Sequence, residues 1–162
     1  MNQSIESAGV VPAPGTDAHG LRLEHVLGYQ LALAALTTSG VFERAVGKPM
    51  RVRPVEYTIL SLIRENPGLT PARLAKALAV TAPNITAWMA KLEARELIAR
   101  TASGTDRRAQ VLSLPSAGQR LSVDATARLL ACERDALKGL SSGEFAMLHE
   151  LLRKVAAARQ VG

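Results

Sequence analysis

Asn84, Thr86, Ala87 and Lys91 fall within one short stretch, and Asp106, Arg107 and Arg108 follow it just beyond a Ser103-Gly104 turn signal. The first group suits the edges of base pairs. An asparagine amide can pair twice with adenine, a threonine can donate, accept or touch a thymine methyl, and a lysine can reach guanine or phosphate. The second group suits the duplex backbone and the narrow minor groove, whose negative potential draws in arginine, with the aspartate able to hold an arginine stem or the base of a hairpin. No comparable set supports catalysis. The chain offers no Ser, His and Asp cluster and no phosphate loop, and Glu24, His25, Cys132 and His149 lack the tight spacing of a metal site. No cofactor, no metal and no enzymatic activity are expected.

The elements that must present these residues are legible in the stretch from Thr70 to Leu114. Two short amphipathic runs each follow a residue able to cap a helix, Thr70 and then Thr81, with Ala79 and Val80 as the break between them. That is the pattern of two helices joined by a tight turn. The second helix is expected from about Ala82 to Arg95, with Pro83 tolerable in its first turn. Ile85, Trp88, Met89 and Leu92 form its apolar stripe, which leaves Asn84, Thr86, Ala87, Ala90 and Lys91 on or beside the exposed side. Two short apolar runs, Leu97 to Ala99 and Val111 to Leu114, then flank the basic tip and predict a hairpin. The whole describes a winged helix-turn-helix that binds duplex DNA. A solvated helix face and a merely basic turn are the alternatives for either piece alone; together the pieces favour the DNA reading.

The charge supports it. The net charge is +6, and residues 51–110 hold ten Lys or Arg against five Asp or Glu. The basic excess sits on the segment that would displace counterions from phosphates. A length of 162 residues allows one compact domain, or one domain with a dimerising extension. Leu31 to Leu36 is the longest apolar stretch, far short of the ~20 residues a membrane helix needs, so a soluble cytoplasmic protein without membrane contact is expected. The lone Cys132 agrees with a reducing compartment.

Around this segment the expectation is mainly α. Residues 1–20 read as a flexible leader, rich in Gly, Pro and Ser without a period. A first long helix spans Leu21 to about Val46 and is stopped by Gly47, Lys48 and Pro49. Pro54 opens a helix through Glu65 with Ile59, Leu60, Leu62 and Ile63 inward, ended by Asn66-Pro67-Gly68. After Leu114 a long helix runs to about Lys138, with Leu121, Val123, Leu129, Leu130 and Leu137 as its apolar positions. A last helix capped by Ser141 with Glu144 reaches about Arg159. Long helices at both ends expose more apolar face than a small headpiece covers, so a two-fold homodimer is expected. Residues 21–46 and 115–160 would dimerise, and 51–114 would read DNA.

In this order of elements, in the helix-turn-helix LTPARLAKALAVTAPNITAWMAKLEARELIAR and in the wing DRRAQVLSLPSAG, the chain resembles the MarR family of bacterial transcription regulators over nearly all of Leu21 to Arg159. The resemblance implies a triangular homodimer with interlocked end helices, two headpieces on an inverted-repeat operator, and repression relieved by a small ligand. It also implies that Asp106 pairs with Arg100 at the hairpin base, that Arg108 enters the minor groove and that Arg107 contacts backbone. Thr81, Asn84 and Thr86 stand where relatives contact phosphates and bases. Position 87, often arginine in the family, is Ala87 here, so base preference does not transfer; Pro115 replaces a usual threonine. With Thr70 at the head of the first helix, the expected DNA-binding set is Thr70, Thr81, Asn84, Thr86, Ala87, Lys91, Arg100, Asp106, Arg107 and Arg108.

The resemblance further implies an effector between the dimerising helices and the headpiece. His25, Tyr29, Phe42, Arg51, Arg53 and Tyr57 are the candidate lining, and arginines beside an apolar cleft would suit an aromatic carboxylate or a coenzyme A thioester. The alternative, that Tyr29 and Tyr57 are core residues and both arginines are solvated, stays open on the sequence. So does a different class of function, a winged-helix protein-interaction or architectural module without ligand response.

Overall fold

The computed structural model describes Leu23, residues 25–102 and residues 110–158. Residues 1–39 and 40–162 form two units. In the first, helix α1 (Leu27–Phe42) begins and exposes Leu27, Leu33 and Leu36. Its last turn belongs to the second unit and runs into a π-helical segment, Glu43–Gly47, and a short helix α2 (Lys48–Met50). The sequence places a stop at Gly47, Lys48 and Pro49, whereas the helical path continues to Met50. A proline ring normally collides with the preceding turn of an α-helix, and the extra residue in the π turn just before Pro49, seen in the Lys48 N–H bonding to the Glu43 carbonyl, eases that crowding. The true stop is Arg51, whose φ of 53° puts it in the left-handed region.

Helix α3 (Pro54–Glu65) starts on its proline as expected and buries Ile59, Leu60 and Ile63. Asn66 closes its end by donating from Nδ2 to the Leu62 carbonyl at 2.8 Å, and Gly68 supplies a positive φ of 78° in the turn that follows. Helices α4 (Pro71–Leu78) and α5 (Ala82–Ala94) come next. Strands β1 (Ala99–Ala102) and β2 (Gln110–Ser113) pair antiparallel, with Arg100 opposite Leu112 and Thr101 opposite Val111. The first strand begins later than its apolar run. Leu97 and Ile98 are buried in the core instead, together with Leu69, Leu74, Ile85, Met89, Leu92 and Leu112. A backbone bond from the Leu112 N–H to the Leu69 carbonyl, 2.8 Å, ties the second strand to the segment before α4.

Helix α6 (Ser116–Ala136) lies against this headpiece with an unexpected face. Its buried residues are Gly118, Ser122 and Ala125, while Val123 and Leu130 point to solvent. Small residues at these spacings let the helix approach closely: a Cβ on Gly118 would overlap the Leu97 carbonyl oxygen. Ala125 also joins a second cluster with Phe42, Ala45, Val46 and Val52, so the root of the first helix and α6 share a core. Helix α7 (Ser142–Ala157) opens on the expected Ser141 and Glu144 capping box and buries no residue. The architecture is mainly helical with a two-stranded antiparallel sheet. Among the described residues no helix is long and apolar enough to cross a membrane.

Candidate nucleic-acid interface

The two helices of the central motif are set by local chemistry. Thr70 caps α4, its Oγ1 accepting from the Arg73 N–H at 3.3 Å. The turn between the helices rests on Ala79, whose φ of 53° lets its N–H reach the carbonyls of Ala75 and Lys76. Thr81 holds the N-cap position of α5 without a side-chain capping bond. Helix α5 then buries Ile85, Met89 and Leu92 and half-buries Trp88 against the core.

The opposite side is open. Thr81, Pro83, Asn84, Thr86, Ala87, Ala90 and Lys91 are all exposed. The Thr86 hydroxyl donates to the Ala82 carbonyl at 2.9 Å, so its hydrogen is engaged within the helix. Its oxygen can still accept, and a methyl remains for apolar contact. Asn84 and Lys91 share this exposed side. This side therefore presents small or polar side chains, of the kinds that can meet base edges and phosphates.

Two ion pairs grip the carboxyl-terminal end of α5. Glu93 holds Arg100 of β1 through both carboxylate oxygens, at 2.6 Å to Nε and 3.1 Å to Nη2. Helix and hairpin base are thus joined directly. Arg95, the C-cap residue, extends to the amino end of α3, with Nη1 3.2 Å from Glu56 Oε2 and Nη2 3.4 Å from the Arg51 carbonyl. That Glu56 oxygen also accepts the Arg53 N–H at 2.9 Å, and Glu56 is buried. Neither pair is apparent in the sequence pattern. Asp106, Arg107 and Arg108 of the expected wing tip lie outside the described residues, and the Arg100 guanidinium is engaged by Glu93.

Of the candidate effector residues, His25 and Tyr29 belong to the first unit, where His25 is exposed and Tyr29 half-buried. In the second unit Phe42 is a core residue. Its ring stands 5.7 Å from that of Tyr57, whose hydroxyl lies 3.1 Å from Thr126 Oγ1. Arg51 and Arg53 are exposed at the junction of α2 and α3. Cys132 is exposed on α6, and no group of three metal-ligating side chains occurs among the described residues.

Residues 52–109 match the sequence profile of the MarR family. A proposed transcriptional regulatory protein for the hcr operon of Thauera aromatica is 33% identical over 125 residues, a span that covers 70% of this chain and 75% of that protein. The transcriptional repressor CouR, solved bound to a 23-mer DNA duplex, superposes with a TM-score of 0.74 at 30% identity, over 83% of this chain and 94% of CouR. CouR from Rhodococcus jostii RHA1 bound to p-coumaroyl-CoA gives 0.73 at 25% identity, over 85% and 96%.

Proposed function

The chain belongs to the MarR family of DNA-binding transcription regulators, and from that premise we propose that it is a homodimeric repressor released by a small aromatic acid or its coenzyme A thioester. The observation that carries the DNA reading is the open face of α5, where Asn84, Thr86, Ala87 and Lys91 stand exposed while Ile85, Met89 and Leu92 are buried. In this reading Asn84 and Thr86 meet base edges, Ala87 leaves room for a thymine methyl, and Lys91, Thr70 and Thr81 meet phosphates. Arg108 enters the minor groove, with Arg107 on the backbone and Asp106 at the hairpin base.

Pairing of two copies is supported by apolar side chains exposed on the terminal helices, among them Leu130, Met147, Leu151 and Val155. Such a row in water favours a second surface of the same kind. The effector class is supported by CouR, which binds p-coumaroyl-CoA, and by the exposed Arg51 and Arg53, proposed to meet carboxylate or phosphate groups. An effector acting there would alter the separation of two recognition helices that must enter successive major grooves, about 34 Å apart.

The test is selection of duplexes from a random pool by the full-length protein, followed by titration with aromatic acids and their thioesters. An inverted repeat bound by a dimer and released by one such compound is expected, with steep weakening by salt. Arg108→Ala should bind the selected duplex much more weakly while remaining dimeric. A monomer, or a dimer that selects no inverted repeat, overturns the reading.

A further inference from the structure

We infer that Arg95 is a positioning residue that fixes the tilt of α5 relative to the junction at Arg51, and through it the half-site spacing that the dimer accepts. The inference rests on the two-headed operator reading proposed above. Its basis is a single carboxylate with two duties: Glu56 Oε2 accepts the Arg53 N–H at 2.9 Å and the Arg95 guanidinium at 3.2 Å. The first bond alone would cap α3. The second reaches the end of a helix 39 residues further along the chain, and the other arm of the same guanidinium reaches the Arg51 carbonyl at 3.4 Å.

That carbonyl stands where the path of the first helix ends. Arg51 turns the chain in the left-handed region, Val52 is buried with Phe42, Val46 and Ala125, and Arg53 holds the N-cap position of α3, its N–H donated to Glu56. Arg95 therefore bridges the recognition helix to the point where the root of the dimerising region passes into the headpiece. A planar guanidinium can serve two acceptors at once with fixed geometry, whereas an ammonium is a point charge on a flexible stem. Burial of Glu56 shields its side of the pair from screening water.

Leverage explains why a contact at this end matters. Ile85, Met89 and Leu92 hold α5 by apolar burial, which is non-directional, while the directional restraints from Glu93 and Arg95 both act within its last turn and cap. Asn84 lies eleven residues from Arg95, about 16 Å along the axis at 1.5 Å per residue, so a tilt of about 10° would carry it roughly 3 Å. In a two-headed complex that error appears twice, and a shift of one base pair, about 3.4 Å, is of the same size.

The experiment uses the full-length protein and the inverted repeat that it selects from a random pool. Duplexes are then made with the two half-sites one or two base pairs closer or further apart, and one duplex keeps a single half-site. Wild type should discriminate against a one-base-pair change at least tenfold. Arg95→Gln and Arg95→Lys should each bind the selected spacing about fivefold more weakly and discriminate less than threefold, with single-half-site affinity and melting temperature close to wild type. Glu56→Gln should show the same loss of discrimination. Retained tenfold discrimination in Arg95→Lys overturns the inference, and so does a uniform loss on every duplex including the single half-site. Failure of wild type to select any inverted repeat overturns the operator reading itself.

Discussion

Gly118 of α6 stands against the backbone of Leu97, so near that a Cβ added to it would overlap the Leu97 carbonyl oxygen and lie 2.9 Å from its carbon. The contact joins the start of a long terminal helix to the segment between α5 and β1. Because the obstructing atoms are backbone, neither side can move aside by a rotamer change. Gly118→Ala should cost about 3 kcal/mol, at the upper end of ordinary overpacking, although alanine is the better helix former. Urea denaturation at matched protein concentration measures it; a loss below about 1 kcal/mol would show that the two segments separate easily.

Ala79 offers the opposite experiment. It adopts a φ of 53° at the end of α4, a conformation that costs a residue with a Cβ roughly 1–2 kcal/mol and glycine much less. Part of that gain is lost to the extra freedom of glycine in the unfolded chain. Ala79→Gly should therefore stabilise the protein by about 0.5 kcal/mol and leave the turn between α4 and α5 intact. A lowered melting temperature would contradict it.

Glu144 supplies a pH dependence with a definite sign. The Ser141 hydroxyl, then the Ser141 backbone N–H, hold its carboxyl below the ordinary value of 4.5, against a smaller opposing effect of desolvation. A lowered folded value means that the stabilisation is present above 4.5 and is lost as pH falls through the lowered value. In Ser141→Ala the carboxyl should titrate closer to 4.5, as followed by NMR of the Glu144 side chain. An unchanged titration would remove the hydroxyl from this role.

On DNA, Asn84 and Lys91 should separate base reading from backbone grip. Asn84→Ala should cost on the order of 1–3 kcal/mol on the selected duplex and lose preference at one base pair per half-site. Lys91→Ala should weaken all duplexes alike and flatten the salt dependence by about one unit of slope. Binding measured on single-base variants at two salt concentrations tells the two apart, and exchanged behaviour would exchange their assignments.

The sequence shows most clearly what is written in local spacing. Ile59, Leu60 and Ile63, or Ile85, Met89 and Leu92, repeat at helical intervals, and their buried sides are those expected. The exposed side of α5, with Asn84 and Lys91, followed from the same periodicity. Features made by distant partners left no such trace. Arg95 and Glu56 are two charges among many until folding joins them across 39 positions. Leu97 and Ile98 look like strand residues because burial and strand formation favour the same side chains; here they fill the core ahead of β1. In α6 Leu121 and Leu129 pack against the cores as expected, but the covered positions are Gly118, Ser122 and Ala125, since close helix approach selects for small side chains.

The last helix is well started, by Ser141 and Glu144, and yet hides none of its residues within its own chain. A segment of sixteen residues gains little from intrinsic helix preference alone. In the homodimer proposed above an identical subunit would cover it, so dilution should act as a denaturant, and the amount of protein in the cell would become one of the variables that decides whether a working regulator exists at all.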